Sequence, residues 1–483
     1  MVETEEKLET IEVVKRNGKK VEFDGTKVAM AIKKGFDSVL LDSEENEKKY
    51  NTKDIQKVYQ AVIKKIAKDY LPLGKIKIEE IQDLIEENLK KYDYQDVYES
   101  FSEYRQRRAN ARIAFRDDKN MAKLQKSIEG LGLKSAAEED SKRENANIDG
   151  NTAMGTMLQF GSTISRAFTE AYLMKKKYAE AHSNGDIHIH DMDFEAMGTT
   201  TCTQIDLSKL FKNGFSTGHG FLREPKDIIS YAALAAIAIQ SNQNDQHGGQ
   251  SIPAFDYYMA PGVLKTFKKQ YKQAVYELLD FSDFISFINM DRVEKEIDKL
   301  TSIDVDTKVF EGIYKDSTEV KKIFEKGYET AYKKTNRQTY QAMEAFIHNL
   351  NTMHSRAGAQ VPFSSVNFGT DTSPEGRMVI KNFLLATDAG LGRNETPIFP
   401  ISIFKLRKGT NYEVTDPNYD LFKLAIKVSA KRLFPNFSFM DSSFNKPYYK
   451  GDYNTEVAYM GCRTRVMANV VDEDKAITPG RGN

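Results

Sequence analysis

The sequence predicts an α/β protein in two parts: a mostly helical N-terminal domain carrying a β-hairpin, then a larger α/β domain whose most economical form is a barrel. Three observations predict it. Two β-prone runs flank Asn17-Gly18 near the start, a polar stretch interrupts the chain between residues 116 and 150, and beyond it helical and strand-like segments alternate. A chain of 483 residues is long enough for two domains and at least one sizeable core.

Taken in order, IEVVKRNGKKVEFD (Ile11 to Asp24) reads as the hairpin, because Asn-Gly tolerates the positive φ angles of a tight turn. Lys27 to Phe36 then reads as a helix with Val28, Ala31 and Ile32 on one side. Further helices are expected at Thr52–Tyr70, Lys77–Lys91 and Asp93–Phe115, the first capped by Asn51 or Thr52. Residues 1–108 therefore form one domain and 109–150 a linker, the latter charged, weakly periodic and containing two glycines near its middle. Residues 151–483 form the second domain. There Thr169–His182 reads as a helix ending at Asn184-Gly185, Asp186–His190 as extended, and Lys226–Gln243 as helical. Pro397–Leu406 and FSFMD read as strands around a helix at Asp420–Leu433, and Asp280–Lys334 as helical excursions from the core.

Composition sets bounds on function. Seventy basic residues balance seventy acidic ones, so nothing suggests a nucleic-acid partner, although a small anionic ligand needs only a local basic pocket. The longest apolar run, YAALAAIAI, is about half of the ~18 residues a membrane span needs, and the acidic N-terminus lacks signal-peptide order. These features predict a soluble, cytoplasmic protein. Only two cysteines occur, Cys202 and Cys462, more than half the chain apart. Two thiols build neither a disulfide framework nor a four-thiolate zinc site.

The hairpin carries Lys15, Arg16, Lys19 and Lys20, and Lys27 opens the next helix. Backbone N–H groups and cations beside a helix N-terminus suit phosphates, whereas the Gly-Lys-Ser/Thr loop of P-loop ATPases is absent. In the second domain GDIHIHDMDF precedes TTTCTQIDL. On a strand His188 and His190 share a face, and a metallohydrolase would add His247 or His219 to them. The second thiol sits in AYMGCRTRV, where Arg463 and Arg465 are placed to lower its pKa, so a Cys/His hydrolase is an alternative. Gly248 and Gly249 of HGGQSIP either let backbone approach a ligand or form an ordinary loop.

Two resemblances carry the reading further. VVKRNGKKVEFDGTKVAMAIKKG resembles the ATP cone, a regulatory module of many ribonucleotide reductases, over about residues 10 to 106. That implies ATP or dATP bound as effector near Lys15, Arg16, Asn17 and Lys27. AHSNGDIHIHDMDF, TCTQIDL, HGGQSIP, TPIFP, DPNYD, AKRLFP, MGCRTRV and the final PGRGN, in that order, resemble the class III anaerobic ribonucleoside-triphosphate reductases. The resemblance implies a ten-stranded α/β barrel of the glycyl-radical-enzyme type. It also implies that Cys462 takes the ribose 3′-hydrogen as a thiyl radical, that Cys202 returns hydrogen, and that Asn483 holds the ribose hydroxyls. Both sulfurs should then face one dry pocket. Gln240, Asn242 and Gln246 lie where polar side chains could serve a dimer-interface effector site.

The same resemblance implies partners: ribonucleoside triphosphates as substrates, a radical-S-adenosylmethionine activase, formate as reductant and a homodimer. Its radical glycine and its zinc-binding cysteines do not occur in this sequence. The expectation is therefore an incomplete barrel with unpaired strand edges, a fragment or one part of a split enzyme, inactive alone. The alternative is a nucleotide-binding regulatory remnant without catalysis.

Overall fold

A computed structural model of the chain describes residues 8, 10–15, 19–40, 50–114, 152–282, 284–314, 317–356, 358, 360–462 and 464–466, the side chains of 40 and 107–114 excepted. These divide into two compact units, one drawn from Met1–Ser127 and Ala167–His188, the other from Ile128–Arg166 and Ile189–Asn483. Most of the expected linker, residues 115–150, lies outside the described residues.

In the first unit β1 (Glu12–Val14) and β2 (Lys20–Glu22) pair antiparallel with Val13 opposite Val21, as the Asn-Gly hairpin requires. Helix α1 (Gly25–Leu40) is longer than its apolar pattern predicts, and α2 (Thr52–Asp69) starts at a reciprocal cap. There Asn51 Oδ1 accepts from the Lys53 amide and Asp54 accepts from the Asn51 amide, satisfying donors a helix start leaves open. Between α2 and α3 (Ile78–Lys91) a further strand, β3 (Lys75–Lys77), runs parallel to β1. Three residues are too short to show a period, so the sequence reading passed over it. Helix α4 (Gln95–Ala114) completes the set. The core is aliphatic, with Val13, Ile32, Val58, Ile66, Ile76 and Leu89 buried.

The second unit is built on a parallel five-stranded sheet ordered β10-β9-β8-β7-β4. The strands are β4 (Thr201–Gln204), β7 (His247–Ile252), β8 (Ser364–Phe368), β9 (Ile401–Leu406) and β10 (Asn436–Phe439). Short hairpins β5–β6 (Phe215–Ser216 with Phe221–Leu222) and β11–β12 (Ala458–Tyr459 with Arg465–Val466) stand apart from it. Among the described residues β4 and β10 are the sheet edges. The predicted α/β class therefore holds, with half of ten strands in a single open sheet.

Long helices pack on one face of that sheet: α5 (Ile228–Asp245), α6 (Phe255–Phe281), α7 (Thr318–Thr352), α8 (Pro374–Ala389) and α9 (Tyr419–Arg432). Strand residues Ile252, Val366, Phe368, Phe404 and Leu406 join their core. Side chains alternate along a strand, so the opposite face carries Gly249, Ser251, Ser365, Asn367, Ile401, Ile403 and Lys405. Most of those are small or polar. Among the described residues no helix is long and apolar enough to cross a membrane.

Two local expectations fail. The helix expected over Thr169–His182 is a π-helical turn, Thr169–Leu173, followed by extended backbone at Met174 and a separate helix, Lys176–Asn184, closed by Gly185 at φ 82°. The run Asp186–His190 forms bends and turns instead of a strand. Its alternation would have needed a neighbouring strand for its N–H and C=O groups, and Asp191, at φ 51°, turns the chain instead.

Candidate active site

The small polar face of the sheet receives the β11–β12 hairpin, whose five-residue loop Met460–Thr464 closes with a Met460 amide to Thr464 carbonyl bond of 3.0 Å. Asn367, fully buried, clamps Tyr459 at two points: its Oδ1 accepts from the Tyr459 amide at 2.8 Å and its Nδ2 donates to the Tyr459 carbonyl at 2.8 Å. Ser251 adds a bond to the same carbonyl, and the Gly461 amide donates to Ser365 Oγ at 2.8 Å. A Cβ on Gly461 would stand 2.4 Å from Ile401 Cδ1, so only glycine passes between that side chain and the loop. Cys462 follows at the tip.

Cys202 reaches the same place from β4, by way of a bulge. Thr201 pairs with His247 and Thr203 with Gln250, so Gly248 and Gly249 together oppose Cys202. Gly248 takes φ 72°, and a Cβ there would lie 2.4 Å from Thr201 Oγ1. Cys202 itself takes φ 55°, a conformation unfavourable for a residue with a side chain and one that marks functional positions. The HGGQ segment is thus a bulged strand and not a loop, and its glycines make room for the cysteine strand.

The two cysteines are thereby brought to one place, and Cys202 is among the groups that lower the Cys462 thiol. Partial burial pushes the Cys462 thiol up, but bonds with the Thr464 side chain and backbone, and then with Cys202, bring it below its ordinary value. Its Sγ is 3.2 Å from Thr464 Oγ1. Of the two arginines expected to do this, Arg465 turns onto the rings of Phe444 and Tyr448 and bonds the Phe444 carbonyl, and Arg463 lies outside the described residues. Cys462 is exposed and Cys202 half-buried, so the expected dryness of the pocket is not met by the described residues. The hairpin loop touches the sheet through Gly461, at Ser365 and Ile401, as well as through Tyr459 at its base.

Beside the bulge, His247 stacks on Phe194 with 4.8 Å between ring centroids, bonds Thr199 through Nδ1 at 2.6 Å, and faces Asp191 at 3.6 Å. His190 is exposed, 3.6 Å from the other Asp191 oxygen, while His188 lies near His182. Among the described residues no cluster of three or more His, Cys, Asp or Glu side chains can hold a metal ion. Arg356 lies over Phe194 and donates to the Gln243 and Gln246 carbonyls; burial pulls its guanidinium below the ordinary value, against the opposing pull of Asp191 and Asp193. Asn242 bonds Thr203 and Gln250, and Gln246 bonds the Gly248 carbonyl. These amides steady the bulged β4–β7 pair.

Sequence reading missed Ser251, Ser365, Asn367 and Thr464. A usable signal was present: SSVNF and GGQSI alternate small polar with large residues, which a strand buried on two apolar faces would not do. In the N-terminal unit, Lys15 is exposed and its amide bonds the Lys19 carbonyl, whereas Arg16 and Asn17 lie outside the described residues. Lys27 is exposed and pairs with Asp24 at 2.9 Å, which holds the Asp24 carboxyl below its usual range. Asn483 also lies outside the described residues.

Residues 144–483 match the family of anaerobic ribonucleoside-triphosphate reductases, and residues 11–110 match the ATP cone domain. The chain is similar to the anaerobic ribonucleoside-triphosphate reductases of Haemophilus influenzae and Escherichia coli, at 27% and 26% identity over 98% of its length. It spans 57% of the length of each of those relatives. The reductase of Enterobacteria phage T4 is 29% identical over 74% of this chain and 51% of its own. A solved anaerobic ribonucleotide reductase from Thermotoga maritima, in complex with dATP and CTP, aligns at TM-score 0.40 and 13% identity, over 67% of this chain and 50% of that one.

Proposed function

The chain belongs to the anaerobic ribonucleoside-triphosphate reductase family, and from that membership we propose that it supplies the thiol pair with which such an enzyme reduces ribonucleoside triphosphates to 2′-deoxyribonucleoside triphosphates. One observation carries the reading: two cysteines more than half the chain apart are brought to the same side of the sheet, one on a glycine-built bulge and one on a hairpin tip seated over it. A glycyl radical borne by further polypeptide supplies the unpaired electron. Cys462 then takes the 3′-hydrogen of the ribose, and Cys202 gives a hydrogen as the 2′-hydroxyl leaves as water. The S–H bond is weak enough to exchange hydrogen with carbon in both directions. Formate supplies the two electrons the reduction consumes and leaves as carbon dioxide. With Cys462 exposed here, bound substrate or further polypeptide has to cover the tip before the chemistry begins.

The N-terminal unit, in this reading, binds ATP or dATP through Lys15, Arg16, Asn17 and Lys27, and Asn483 holds the ribose hydroxyls. The working enzyme is a cytoplasmic homodimer loaded by a radical-S-adenosylmethionine activase, and zinc binds only in sequence outside this chain. Residues 1–108 act as the regulatory domain and 151–483 as the catalytic one. The test is Cys462→Ser in the chain combined with the polypeptide that bears the radical glycine, activated without oxygen. Turnover should vanish while nucleotide binding to the N-terminal unit persists. Deoxynucleotide formation by the variant would overturn the thiyl assignment.

A further inference from the structure

The hairpin that carries Cys462 is entered through Glu456, which is 1% exposed. Its carboxylate oxygens have three contacts, from three side chains. Oε2 lies 3.0 Å from Lys405 Nζ and accepts from Thr370 Oγ1 at 2.8 Å, and Oε1 accepts from Arg407 Nη1 at 2.6 Å. Lys405, also 1% exposed, donates in addition to the Pro253 carbonyl at 2.8 Å. Lys405 shares its strand face with Ile401, the residue against which Gly461 is pressed. The chain from Glu456 to Gly461 therefore lies along the polar face of the sheet, tied at one end by charge and at the other by the Ser365 bond.

Between those ends Val457, Ala458 and Met460 are buried. Apolar contacts of that kind have no direction and tolerate a shift of an ångström or two. A carboxylate held by an ammonium, a guanidinium and a hydroxyl does not, because any shift breaks several charge-assisted bonds in a place without water to replace them. Buried ion pairs seldom add stability over an apolar replacement, and their best-supported use is to fix register.

We propose that Glu456, through Lys405 and Arg407, is a positioning residue that sets how far along the sheet the hairpin presents Cys462 to Cys202. The inference deepens the reductase reading, on which its catalytic meaning rests, but the alignment of the two thiols can be measured without turnover. The measurement is the rate of disulfide formation with diamide, which accepts two electrons and two protons as the two thiols join into one S–S bond. The chain has only these two cysteines, so the signal is unambiguous.

In the full chain, Glu456→Gln should slow cross-linking at least tenfold, and the pH profile for alkylation of Cys462 should move upward as Cys462 shifts away from Cys202. Lys405→Met combined with Glu456→Met replaces the pair by apolar groups and should keep the fold while cross-linking stays slow. A wild-type cross-linking rate in either folded variant would overturn the proposal. If Cys462→Ser retained turnover while Glu456→Gln still slowed cross-linking, the reductase reading would fail and the positioning role would stand.

Discussion

Lys27 in the N-terminal unit and Lys405 in the sheet-bearing unit each meet a carboxylate at nearly the same distance, 2.9 Å from Asp24 and 3.0 Å from Glu456. Side-chain exposure separates them: 80% and 39% for the first pair, 1% and 1% for the second. In water the first pair is screened and dissolves readily, which leaves Lys27 free to exchange Asp24 for a phosphate. The second pair has no solvent to fall back on, so removing one partner leaves a buried charge uncompensated. Equal geometry thus serves opposite ends. On the proposed reading the first pair gives way to a stronger anion, while the second is a fixed joint.

The comparison can be broken at its stiff end first. Glu456→Ala strands Lys405 in the interior and should cost about 3–5 kcal/mol in denaturant unfolding; a cost below about 1 kcal/mol would mean the site opens to water. Next comes Asp256, buried beside Asp371 and Lys405, whose carboxyl burial and then Asp371 push up to about 7 from an ordinary 3.8. Because the folded form holds its proton more tightly, stability is complete below about pH 4 and is lost as pH rises through 7. Asp256→Asn keeps an acceptor for the Gly369 and Asp371 amides, so it should melt higher than the wild type above pH 7, with the gain shrinking toward pH 4. Melting curves across pH decide it.

Cys462 is an intermediate case, exposed yet steadied by hydrogen bonds. Thr464→Val removes the largest lowering influence on its thiol, so alkylation near neutral pH should slow and its midpoint move to higher pH. The smallest structural effect belongs to Lys27→Met, which should leave the melting temperature unchanged within error while weakening ATP binding, measured by calorimetry, by roughly tenfold, as expected for one lost charge-assisted contact.

What could be read from sequence follows the reach of each interaction. The hairpin around Asn17-Gly18, the cap at Asn51 and the long helices depend on neighbours a few residues away, and local pattern was enough for them. The strand expected at Asp186–His190 and the role expected of Arg465 beside Cys462 failed because their outcome depended on partners elsewhere. The joint between Lys405 and Glu456 spans 51 residues and the clamp of Asn367 on Tyr459 spans 92. No local pattern reveals which asparagine will hold which loop. The proximity of the two cysteines came from motif order, and the devices that create it, a double-glycine bulge and a hairpin on a polar sheet face, became visible only in three dimensions.

The left-handed backbone of Cys202 has a further consequence in time. It persists only while β7 holds its bulge, so relaxing it rewards any momentary parting of β4 from β7. Among the described residues β4 is an edge strand, so that parting disturbs one neighbouring strand. Amide hydrogens at the cysteine strand should therefore exchange with deuterium well ahead of those in β8, and on the proposed reading the least settled stretch would be the one that hands over an atom.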